Sequence, residues 1–98
     1  MKVFISQPMK DKTDADILEE RDAVIAKLKT SYNEPIELID SFIENAPLNA
    51  NPLWYIGESL KFLGQADTAY FCKDWEKYRG CVIEHECAVR YGIRCLYA

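Results

Sequence analysis

The chain has 98 residues, of which 49% are apolar and 29% charged, with a net charge of −4 at pH 7. That length suits one domain spanning residues 1–98 around a single core, and the balance is that of a folded protein rather than a disordered one. The acidic charge disfavours a nucleic-acid polymer or an anionic membrane as partner, and no apolar run approaches the ~20 residues that cross a bilayer. A strand-like segment follows Met1 directly, without a signal-peptide pattern, so the expected location is the cytoplasm. Four cysteines, Cys72, Cys81, Cys87 and Cys95, form no C-x-x-C pair. The single histidine, His85, is a poor basis for a metal site. The thiols are expected to be reduced and structural, and neither a metal nor a cofactor is expected. Cys81 stands apart, because a helix N-terminus can lower a thiol pKa.

Lys2 to Ser6 is short, β-branched and aromatic, which predicts a buried first strand ended by Pro8. A loop, Gln7 to Lys10, follows. Thr13 with Asp16 three residues later predicts a capped helix running to about Thr30. Ile17, Leu18, Val24, Ile25 and Leu28 share its apolar face. Arg21 also falls in that face: the expected reading is a packed stem with its guanidinium reaching water, the alternative a pairing with a buried acid.

Pro35 breaks the chain, and Ile36 to Asp40 reads as a second strand. Ser41 to Pro52 has no clear periodicity and is long for a connection, with one helical turn conceivable at Ser41–Asn45; loops of this length are often functional. Pro52 suits a helix start, and Leu53, Ile56, Leu60 and Leu63 give a core stripe that Gly64 terminates. Asp67 to Cys72 is the third strand. Trp75 to Gly80 is a loop turning at Gly80, followed by a helix to Gly92 and a last strand, Ile93 to Tyr97.

Strand and helix alternate throughout. Such alternation predicts an α/β three-layer sandwich with a four-stranded parallel sheet, right-handed crossovers and helices on both faces. Ligands in these folds bind beyond the C-terminal strand ends, where the strand order switches. Ser6–Met9, Asp40–Asn51 and Lys73–Gly80 belong to that edge.

One residue there is out of keeping. At about 100° per residue, Ile83, Cys87, Tyr91, Glu84, Ala88 and Cys81 form one continuous arc of the last helix. Glu84 lies in the middle of it, and a carboxylate is rarely buried without a partner or a purpose. A plain alternative is that glutamate in a first helical turn complements the helix dipole.

Three stretches carry a family resemblance. They are the opening Lys2-Val3-Phe4-Ile5-Ser6-Gln7-Pro8-Met9, the Ala66-Asp67 pair before a strand, and the run Trp75-Glu76-x-x-Arg79-Gly80-Cys81-x-x-Glu84-x-x-x-Ala88-x-x-x-Gly92-Ile93. Together they resemble the small DUF4406 proteins of the nucleoside 2-deoxyribosyltransferase-like superfamily, a flavodoxin-like fold. Gly80, Glu84 and Gly92 match the spacing around the transferases' nucleophilic glutamate. The resemblance implies a nucleoside or nucleotide ligand, cleavage or transfer at its N-glycosidic bond, and Glu84 as catalytic nucleophile at the anomeric carbon. Ser6, Gln7, Pro8, Met9, Trp75, Tyr78, Arg79, Gly80 and Cys81 are the accompanying candidate ligand-binding residues. Among them Trp75 or Tyr78 would stack on a base, while Arg79 with the N–H groups of Cys81 and Val82 would hold an anion. Two positions depart from the transferases: Tyr78 stands where they carry an aspartate, and Ser59 where they carry a second acid. A non-catalytic module that binds or sequesters a nucleotide-derived ligand is therefore the second expectation. A homo-oligomer is expected as well, since a partner copy would give walls to a cleft at the sheet edge.

Overall fold

The computed structural model describes residues 1–98. In chain order the elements are β1 (Lys2–Ser6), α1 (Asp14–Ser31), β2 (Glu37–Leu38), α2 (Pro52–Leu63), β3 (Thr68–Phe71), a 3₁₀ turn (Trp75–Lys77), α3 (Arg79–Arg90) and β4 (Arg94–Tyr97). All strand pairs are parallel, in the order β2-β1-β3-β4. The four-stranded parallel sheet expected from the alternation is present.

Helices cover both faces, and the pleat decides which residues meet them. Val3 and Ile5 of β1, with Tyr70 and Cys72, pack against Val24 and Leu28 of α1. Phe4 lies on the opposite face with Ala69 and Phe71, against Leu63 of α2 and Ala88 of α3. β1 and β3 are central and buried almost throughout, as a near-continuous apolar run predicts. β2 is an exposed edge of two residues rather than the five expected, although Ile39 N–H still reaches Val3 C=O at 2.8 Å.

Helix ends follow local chemistry. Thr13 and Asp16 form the reciprocal capping box, with Asp16 N–H donating to Thr13 Oγ1 at 3.1 Å and Thr13 N–H to Asp16 Oδ2 at 3.2 Å. Asn51 caps α2 by accepting from Trp54 N–H at 2.8 Å, and Pro52 occupies the first turn, where its missing N–H is harmless. Gly92 ends α3 at φ +75°, and Ile93 N–H closes onto Ala88 C=O at 2.9 Å. That left-handed turn is the setting in which glycine is favoured.

Several expected boundaries and faces move. Leu18 is exposed, and the buried stripe of α1 is Ile17, Arg21, Val24 and Leu28. The stripe of α2 holds only at its C-terminal half: Leu63 is buried, but Leu53 is 76% exposed. The N-terminal half of α2 borders a cleft instead of covering the sheet. On α3 the buried residues are Cys81, Glu84 and Ala88, while Tyr91 is 84% exposed. The chain does not turn at Gly80; the positive φ is at Asp74, 67°, and Gly80 lies inside the first turn of α3. There the position a Cβ would take is 3.2 Å from Ile56 Cδ1, so its small size serves packing of α3 on α2. No helical turn forms at Ser41–Asn45. No helix is long and apolar enough to cross a membrane.

Candidate functional site

β1 leads out toward α1 on one sheet face, and β3 toward α3 on the other. Their adjacent C-terminal ends therefore diverge, opening a crevice at the switch in strand order. A cleft of about 1300 Å³ lies there. The loop after β1 contributes Gln7, Pro8 and Met9, and the start of α3 contributes Arg79, Gly80, Cys81 and Glu84. Tyr78 lines it from just before α3; Tyr55, Ile56 and Ser59 line it from α2.

Glu84 is 8% exposed. Its Oε1 accepts a hydrogen bond of 2.6 Å from the hydroxyl of Ser6, the last residue of β1. Burial raises its pKa above the usual glutamate value; the hydroxyls of Ser6 and Ser59 and the positive charge of Arg21 oppose that rise without cancelling it. The carboxyl is thus held firmly but in an environment that disfavours its charge. Ser59 of α2 is one of the groups acting on it.

Arg21 differs from its expected conformation. It does not reach water: it is 3% exposed and lines the cleft. Its Nε donates to Oε1 of Gln7, whose Nε2 donates to Ile17 C=O at 3.2 Å and to Glu20 Oε1 at 2.8 Å. Gln7 accordingly anchors the β1 loop to α1, with only residual acceptor capacity for a ligand. Ile36 to Asp40 supplies no ion pair for Arg21, although the charge of Asp40 stabilises its protonated form against the lowering effect of burial. No chemical motif flagged Arg21 in the sequence; its only signal was a cation within an apolar helical stripe.

Trp75 lies apart from the cleft lining. Its ring centroid is 4.3 Å from that of His85 and 5.9 Å from that of Tyr97, and it packs on Phe71 at 5.3 Å. His85 Nε2 is 2.7 Å from Tyr97 Oη in the same cluster. The aromatic rings that do line the cleft belong to Tyr55, Tyr78 and Phe4. A scan of family models and searches of curated proteins and solved structures found no match to this chain.

The anion-holding groups also differ in detail. Val82 N–H is spent within the helix, donating to Tyr78 C=O at 3.0 Å. Tyr78 gives α3 no side-chain cap, so the N–H groups preceding Val82, at Gly80 and Cys81, begin the helix without an intrahelical acceptor. Cys81 is no activated thiol, since burial pushes its pKa up to about 11 and outweighs the lowering influence of the Ser6 hydroxyl. Cys72 is pushed up to about 12 for the same reason. All four cysteines are free, and no group of three or more His, Cys, Asp or Glu side chains could hold a metal ion. Asp67 has a structural post at the other end of the sheet. Both carboxylate oxygens accept from Lys2 N–H at 3.1 Å, and Thr68 Oγ1 donates to it at 2.9 Å.

Proposed function

We propose that the cleft binds a nucleoside or nucleotide and that Glu84 acts as a nucleophile at the anomeric carbon of the sugar. One observation carries the reading: a buried carboxylate, oriented by a 2.6 Å hydrogen bond from Ser6, in the wall of a cleft at the switch in strand order. The strand order β2-β1-β3-β4 supports a nucleoside 2-deoxyribosyltransferase-like, flavodoxin-like class for the sheet.

The chemistry follows from charge. As the C1′–N bond breaks, its electron pair leaves with the base and positive character develops at C1′. A carboxylate held beside that carbon stabilises the developing charge and forms a C–O bond to it. Water, or an acceptor base in a transfer, then displaces the glutamate. The apolar walls around Glu84 weaken solvent screening, so the carboxylate acts more strongly there than in water. Tyr78 and Tyr55 offer faces for the base, and Ser6 holds the carboxylate in place. The exposed side chains of Leu53 and Tyr55 at the cleft support a homo-oligomer in which a second copy closes it; light scattering reads that state directly.

A second reading, binding without turnover, has its own support. The groups acting on Glu84 are two hydroxyls and one guanidinium, and the second carboxyl that lines the cleft, Asp11, is not among them. Incubating the protein with nucleosides, nucleotides and nicotinamide dinucleotide, with thermal shift and free base both measured, separates the two. Turnover requires base release that Glu84→Gln abolishes. Thermal stabilisation without base release supports the binding module. No ligand effect of either kind disposes of both.

A further inference from the structure

Arg21 is a buried cation in the cleft that the proposed chemistry leaves unused. Its guanidinium is held at one end by Gln7, itself fixed to Ile17 and Glu20. The other end is unpaired: Nη2 is buried and has no hydrogen-bond partner in the protein. A buried donor on a permanently charged group is costly to leave unmatched, far more so than a neutral one. The fold could have avoided the problem by letting this side chain reach water, as arginines on helix faces commonly do. Instead, Gln7 and the cation–π contact with Phe42, 5.9 Å from Cζ to the ring centroid, keep it inward.

The surroundings favour a negative ligand group. The cleft is lined by four cations, Lys10, Arg21, Lys77 and Arg79, against two carboxyl groups, Asp11 and Glu84. The chain as a whole carries a net charge of −4. A locally positive cleft in an acidic protein concentrates anions at the site rather than over the surface. A sugar hydroxyl could satisfy the hydrogen bond of Nη2, whereas a phosphate oxygen also adds to the partial compensation of its charge by Asp40 and Glu84.

We propose that Arg21 is a ligand-binding residue whose Nη2 donates to an anionic oxygen of the ligand, a phosphate, so that the site takes nucleotides in preference to nucleosides. The nucleotide part of this inference rests on the reading of the cleft given above; the anion subsite does not. Gln7 acts as a positioning residue, holding Nε so that Nη2 remains directed to the ligand.

Calorimetric titration tests it, using the adenine, guanine, cytosine and uracil nucleosides, their monophosphates, and inorganic phosphate. For any base that binds, the monophosphate is expected to bind about tenfold or more tightly than the nucleoside, as a charge-assisted hydrogen bond requires. Arg21→Gln should bring the monophosphate to the affinity of the nucleoside. Equal binding of the two in the native chain, or a preference that persists in Arg21→Gln, overturns the role of Arg21 while leaving the nucleoside reading intact. Inorganic phosphate bound through Arg21, with no nucleoside or monophosphate bound, upholds the subsite and removes the nucleoside reading. Silence from every probe removes both. Should Arg21→Gln fail to fold, the guanidinium ¹⁵N resonances of Arg21 in the native chain decide the matter: they shift on titration with monophosphate or phosphate, or the proposal fails.

Discussion

Replacing Glu84 with glutamine isolates what its charge costs the fold. Removing a carboxylate from water carries an effective penalty of several kcal/mol. A hydrogen bond to a charged group, such as that from Ser6 to Glu84, offsets about 1.5–3 kcal/mol of it. The raised pKa indicates that the penalty prevails. Between the ordinary glutamate value of 4.5 and the higher native value, the native state binds more protons than the unfolded state. Stability is therefore greatest below that window, falls as pH rises through it, and levels off above. Each unit of the rise is equivalent to about 1.4 kcal/mol. Glutamine retains an oxygen for Ser6 and carries no charge, so Glu84→Gln should be the more stable protein at neutral pH, by the energy equivalent of that rise. For a domain of this size each 1 kcal/mol of that gain raises Tm by about 4–8 °C. The gain should shrink as pH falls through the window and vanish well below 4.5, where both states hold the proton. Urea unfolding of both proteins across that range measures it. A variant less stable than the native chain at neutral pH, or a gap that ignores pH, would refute the assignment of Glu84 as a destabilised carboxylate.

Other expectations rest on separate features. Gly92→Ala should lower stability by about 1–2 kcal/mol in denaturant unfolding; φ is +75° and nothing lies within 4 Å of the new Cβ, so backbone strain alone is read. Phe71→Ala should cost about 3–5 kcal/mol, because this side chain is fully buried between α2, α3 and the Trp75 cluster. Iodoacetamide in native buffer should modify Cys87 and Cys95, which are partly exposed, well before Cys81 and Cys72, which are buried with raised pKa values. Peptide mass spectrometry reads the order, and early labelling of Cys81 would show that its thiol is not suppressed by burial.

Periodicity alone carried much of this far. The alternation of strand and helix was enough for the parallel sheet, because a short apolar run after a capped helix has few other places to go. Glu84 stood out because α3 is short and its buried stripe, Cys81, Glu84 and Ala88, follows a single helical spacing. The α2 stripe misled because periodicity records which side chains share a face, not how far along the helix the sheet extends beneath it. Gly80 misled for a related reason: its small size answers to Ile56 on another helix, a contact without local signature. Arg21 was seen but turned the wrong way. Its direction depends on Gln7, fourteen positions earlier, and nothing within α1 encodes that bond.

The two polar halves of the site meet through one strand end. Along β1, Val3 and Ile5 face α1 while Phe4 faces α2 and α3. Continuing the pleat sends Ser6 to the α3 side and Gln7 to the α1 side, and their partners agree: Ser6 bonds Glu84, and Gln7 bonds Arg21. Two neighbouring residues thus orient an acid and a cation from opposite faces of the sheet over one crevice. A one-residue register change would exchange those partners and reverse every core contact of the strand. The pairing of Val3 with Thr68 and Ser6 with Phe71 is fixed by the same burial that forms the core. Site geometry and fold stability therefore rest on one register, and mutations that loosen β1 should disturb Glu84 and Arg21 together.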